Sequence, residues 1–124
     1  MGKTTDFGAI FERLKAILAV HAPGLVVKAD TADTYYLDTA IIQKNKTPLF
    51  FGAVQIKKNY VSYHLFPVYV YPELLGGISP DLRRRMQGKS CFNFVSLDEP
   101  LFGELAQLTA VGAERFAAQG FLKA

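Results

Sequence analysis

The chain of 124 residues has one cysteine, Cys91, so no internal disulfide is available and a zinc site built on several thiolates lacks its ligands. No stretch approaches the roughly 18–20 apolar residues that cross a bilayer, and Met1 to Asp6 carries one lysine with no apolar run behind it. A membrane anchor and an export signal are not expected, and a cytoplasmic home is. Gly2 would suit an acyl group, but Asp6 stands where that pattern wants Ser or Thr. A phosphate-binding glycine loop is missing too. Gly76-Gly77 runs into Ile78-Ser79-Pro80 without the lysine and hydroxyl that such a loop needs. Charge of one sign is scarce: 14 Lys and Arg against 11 Asp and Glu leave a net +3. Lys44 and Lys46 fall at the opposite end of the predicted hairpins from Lys57 and Lys58. Dispersed basic groups of this kind argue against a nucleic-acid track.

What is present describes one globular unit. Half of the residues are apolar and a fifth are charged, and a chain of this length buries roughly two-thirds of its surface around a single core. Thr5 or Asp6 starts a helix whose apolar positions Phe7, Ile10, Phe11, Leu14, Ile17 and Leu18 recur every three or four residues. Ala22, Pro23 and Gly24 end it. From Leu25 to Phe66 the pattern becomes short apolar or alternating runs, broken at Asp30–Asp33, Gln43–Pro48 and Lys58-Asn59, which reads as sequential antiparallel strands. Ser79 with Pro80 and Asp81 opens a short helix that Gly88 stops, and Ser90 to Val95 is one more strand. Asp98 caps a last helix with Leu101, Leu105, Leu108 and Phe116 on its inner side. The fold class is α+β. One two-layer domain over residues 1–124 is expected, an antiparallel sheet with the N- and C-terminal helices packed on one face.

The other face of that sheet is where function is sought. If Lys58-Asn59 is a two-residue turn, Ile56 pairs with Val61, Val54 with Tyr63 and Gly52 with Leu65, an apolar set that should meet the helices. The reverse side pairs Gln55 with Ser62, Ala53 with His64 and Phe51 with Phe66. Aromatic walls with a few hydrogen-bonding groups suit a small organic ligand, whereas plain packing under residues 67–75 would make the same residues core.

Other chemical groupings carry less. His64 and Cys91 both fall on strands, but nothing in their spacing requires a thiolate–imidazole pair, and buried structural roles suffice. His21, at the end of the first helix, is expected to cap it as a cation. Arg83, Arg84 and Arg85 fan out at successive helix positions and cannot all grip one anion. Asp30, Asp33 and Asp38 are the only grouped carboxylates, and no calcium-loop spacing accompanies them.

The runs Leu49-Phe50-Phe51-Gly52-Ala53 and Tyr60-Val61-Ser62-Tyr63-His64-Leu65-Phe66-Pro67 resemble the second hairpin of the YdhG-like family of small bacterial proteins. Gly88-Lys89-Ser90-Cys91-Phe92-Asn93-Phe94 followed by Leu97-Asp98-Glu99-Pro100-Leu101 is similar to that family's strand-then-helix signature. The resemblance implies a frataxin-like fold and, from members described as iron chaperones, a metal-handling role. The leading expectation is a non-catalytic domain binding a small molecule or protein partner through Phe51, His64, Phe66 and Lys89. An iron-binding chaperone using Asp30, Asp33 and Asp38 is the alternative, and an enzyme working through His64 and Cys91 comes third. The sequence names no cofactor.

Overall fold

The computed structural model describes residues 6–122. Gly2 and Thr5, weighed above as an acylation point and a helix cap, lie outside them. Helix α1 (Phe7–Ala19) starts where the Asp6 side chain accepts a hydrogen bond from the Ala9 amide at 3.2 Å. Its inward stripe, Ile10, Phe11, Leu14, Ile17 and Leu18, is buried. A 3-10 turn at Ala22–Gly24 then feeds β1 (Val26–Asp30), β2 (Thr34–Ile42), β3 (Pro48–Ile56) and β4 (Val61–Leu65). Helix α2 (Pro67–Val70), a 3-10 segment (Pro72–Gly77) and α3 (Pro80–Arg83) intervene before β5 (Cys91–Phe94), which nevertheless lies beside β4. Helix α4 (Glu99–Ala118) closes the chain, its first turn capped by the Asp98 carboxylate accepting from the Leu101 amide at 3.3 Å.

The five strands lie in sequence order, all antiparallel. Both long helices pack on one face of the sheet, so the fold is the expected two-layer α+β. Phe102 of α4 meets Phe94 edge-on at 5.1 Å, and the Tyr63 hydroxyl is 2.5 Å from Thr109 Oγ1, linking sheet to helix inside the core. The Lys57 amide donates to the Tyr60 carbonyl at 2.8 Å, closing the two-residue turn. Counting outward from that turn gives the pairings read from the sequence: Ile56 with Val61, Gln55 with Ser62, Val54 with Tyr63, Ala53 with His64 and Gly52 with Leu65.

One expected placement is overturned. Phe51 does not share a face with His64. The β2–β3 ladder slips between Leu37–Gly52 and Asp38–Phe50, so β3 holds one residue more than its partner over this step. The bulge turns Phe51 to the helix side, where it is fully buried between His21 (6.2 Å) and Phe116 (5.9 Å), and Phe50 takes its place outside. Gly52 permits this because a Cβ there would stand 2.9 Å from the His64 carbonyl and 3.0 Å from Leu18. His21 is corrected with it: the side chain caps nothing, and burial beside Phe51 lowers its pKa, favouring a neutral ring over a capping cation.

Residues 67–75 fold against α4 rather than across the sheet. Pro67 fits against Gly112, where an added Cβ would approach to 2.8 Å, and Tyr71 meets Phe116 at 6.2 Å. Arg115 stacks over Tyr71 and bonds Glu73 at 3.0 Å. Among the described residues, no helix or strand overlies the second face of the sheet.

Candidate functional site

Strand alternation arranges the open face in cross-strand rows, with neighbours about 4.8 Å apart within a row and successive rows about 6.6 Å apart along the strands. The register sets Thr34, Gln55, Ser62 and Asn93 in one row, Tyr36, Ala53, His64 and Cys91 in the next, and Asp38 beside Phe50 in a third. The first row is polar and uncharged. In the middle of the grid the short side chains of Ala53 and Ser62 are closed off by their longer neighbours, at 2% and 0% exposure. Around them runs an aromatic strip. Tyr36 and Phe50 have ring centres 4.8 Å apart, Phe50 lies 5.9 Å from Phe66, and Phe66 stacks on Tyr69 at 5.2 Å. His64 stands edge-on to Phe50 at 6.3 Å.

The polar groups of this face are poorly satisfied. Ser62 Oγ is buried without a hydrogen-bond partner. Asp38 is 5% exposed, and burial raises its pKa against the opposing pull of Lys28. Burial also lowers the His64 pKa, and Lys57 adds to the effect, so the imidazole is neutral at neutral pH. The Cys91 thiol is pushed up by burial, with Lys57 opposing, and its Sγ lies 3.4 Å from Asn93 Oδ1.

His64 and Cys91 are direct cross-strand partners, a proximity that spacing did not require. No hydrogen bond joins them. A protonated thiol bonded to an amide oxygen, beside a neutral imidazole, is not an activated nucleophile. The three aspartates are not brought together. Asp30 pairs with Lys15 at 2.7 Å, Asp33 bonds the Thr31 hydroxyl in its turn, and Asp38 lies on the open face. Among the described residues no three His, Cys, Asp or Glu side chains gather as metal ligands would.

Of the four residues singled out from sequence, His64 and Phe66 belong to the open face, and Phe51 does not. Lys89 lies beyond the Phe66–Tyr69 stack, on a separate cavity that it shares with Arg83. Tyr36, Phe50 and Tyr69 were missed. For Phe50 the signal was Gly52, since a glycine inside an otherwise apolar strand often marks a bulge. No helix of the described residues is long and apolar enough to cross a membrane. No family model, curated protein or solved structure matches the chain.

Proposed function

We propose that the protein is a non-catalytic binding domain that takes a planar heteroaromatic small molecule on the open face of its sheet. The observation carrying this reading is the Tyr36–Phe50–Phe66 strip beside a half-buried, neutral His64. Flat aromatic area supplies attraction at little conformational cost, while the half-buried imidazole of His64 can fix orientation through a hydrogen bond. Kinship with the YdhG-like family belongs to this proposal and rests on the hairpin and strand-then-helix motifs. The iron-chaperone and His/Cys-enzyme readings have weaker support, for their residues are dispersed in the first case and unactivated in the second.

Amide-resolved NMR titration with indole, quinoline and adenine tests the proposal. The expected result is saturable shifts at Tyr36, Phe50, Ala53, His64 and Cys91, with Phe50→Ala weakening binding roughly tenfold while the fold is retained. Absence of saturable shifts on these strands with all three probes would refute it.

A further inference from the structure

Beyond the open face, a cavity of about 430 Å³ opens between α2, the 3-10 segment and the loop before β5. Its apolar wall includes Val68, Leu75 and Met86, with the Tyr69 ring at one side and, among the described residues, Arg83 and Lys89 as its only charged groups. The size falls in the range of small-molecule sites. We propose that this cavity binds an organic anion, a carboxylate or phosphate on an apolar body, with Arg83 and Lys89 holding the charged end. The proposal is independent of the open-face reading.

The argument is charge complementarity. The acidic groups of the neighbouring segments are engaged elsewhere: Glu73 with Arg115, Asp81 with Arg84, and Glu104 with the Ser79 amide and hydroxyl at 2.9 and 2.6 Å. Arg83 and Lys89 form no ion pair among the described residues. Arg83 is nevertheless held, because its Nη2 donates to the Leu75 carbonyl at 2.7 Å. That bond uses one of five guanidinium donors and leaves the rest for a ligand. The apolar wall favours a body that leaves water, and the paired cations favour a negative head group.

Two other concavities lack such a recognition element. The groove of about 500 Å³ along Leu74, Ile78, Leu108 and Val111 has Glu104 as its one charged side chain, and that carboxylate already caps Ser79. The trough of about 340 Å³ between α1 and α4 at Val20, Ala106 and Ala110 has Arg13, which is committed to Glu99 at 2.9 Å, and His21, which burial keeps neutral and which therefore supplies no charge for an anion.

The test is a titration followed by amide shifts and calorimetry, using 4-phenylbutyrate, phenyl phosphate and the neutral 4-phenylbutan-1-ol. At least one anion should bind, shifting Val68, Tyr69, Leu75 and Met86, and should bind about tenfold more tightly than the alcohol. The two anions separate carboxylate from phosphate as the preferred head group. Lys89→Gln should weaken the bound anion about tenfold, Arg83→Gln at least as much, and His64→Ala should leave it unchanged. Lys89 is exposed, so its variant decides the matter even where loss of the Arg83–Leu75 bond disturbs the loop. No binding by either anion, equal binding of the alcohol, an unaltered affinity in Lys89→Gln, or shifts confined to another surface would overturn the proposal.

Discussion

Two faces of one sheet are built from alternate residues of the same strands, yet they solve different problems. The helix side carries Tyr35, Leu37, Val54, Val61, Tyr63, Leu65, Phe92 and Phe94, all buried, and the hydroxyl of Tyr63 is satisfied by Thr109. The open side carries Tyr36, Phe50, His64, Cys91 and Asn93, all partly exposed, around a buried serine without a partner. Position on a strand therefore does not decide what an aromatic residue contributes. What decides is whether an α-helix covers it.

The sharpest way to break the comparison is to remove one large ring from each side. Phe116→Ala deletes a fully buried ring that touches Phe51, Tyr71 and Phe121, and it should cost about 3–5 kcal/mol of unfolding free energy. Phe50→Ala removes a half-buried ring from the open strip and should cost about 1 kcal/mol, the scale of its stacking contacts. Chemical denaturation of both variants measures the gap. Equal losses would show that the open strip is core.

Adjacent residues of β4 give a smaller contrast with opposite signs. Tyr63→Phe strands the buried Thr109 hydroxyl and should destabilise by about 1–2 kcal/mol. Ser62→Ala removes a buried hydroxyl that bonds to nothing, so it should be neutral or stabilising by up to about 1 kcal/mol. Destabilisation of more than about 1 kcal/mol by Ser62→Ala would mean that the hydroxyl has a partner, such as bound water.

The sequence disclosed the helix faces, the helix starts at Thr5 or Asp6, at Ser79 and at Asp98, and the pairing of β3 with β4, because each follows from a local rule. A two-residue turn fixes its register by counting, and that count stays valid until a residue is inserted. The insertion comes at Phe51, where the slip against β2 depends on a strand that the hairpin's own pattern does not describe. The route of residues 67–75 was hidden for a similar reason. Its apolar residues could cover either layer, and the fit of Pro67 against Gly112 settles the choice only once α4 is in place. Arg83 and Lys89 share a cavity through that same tertiary arrangement, with no sequence period to announce it.

Protonation gives the smallest effect and distinguishes two groups of the open face, the half-buried His64 and the buried Asp38. His64 holds its proton less tightly when folded, so below its unfolded value of 6.5 the unfolded chain takes up more protons. Its contribution is intact above that value and declines as pH falls through it. Asp38 acts in reverse, for its raised pKa makes the folded chain retain the proton, and stability falls as pH rises from 3.8 through the raised value. Melting temperatures recorded from pH 4 to 8 should therefore show His64→Gln losing part of the decline on acidification below 6.5. Asp38→Asn should gain most at neutral pH, where wild-type Asp38 carries its disfavoured charge. His21 has the same sign as His64 but is half-buried on the helix side of the sheet beside Phe51, so His21→Gln should also soften the acid slope while losing packing at every pH. A pH-independent loss in His64→Gln as large as that in His21→Gln would place both rings in the core and erase the difference between the faces.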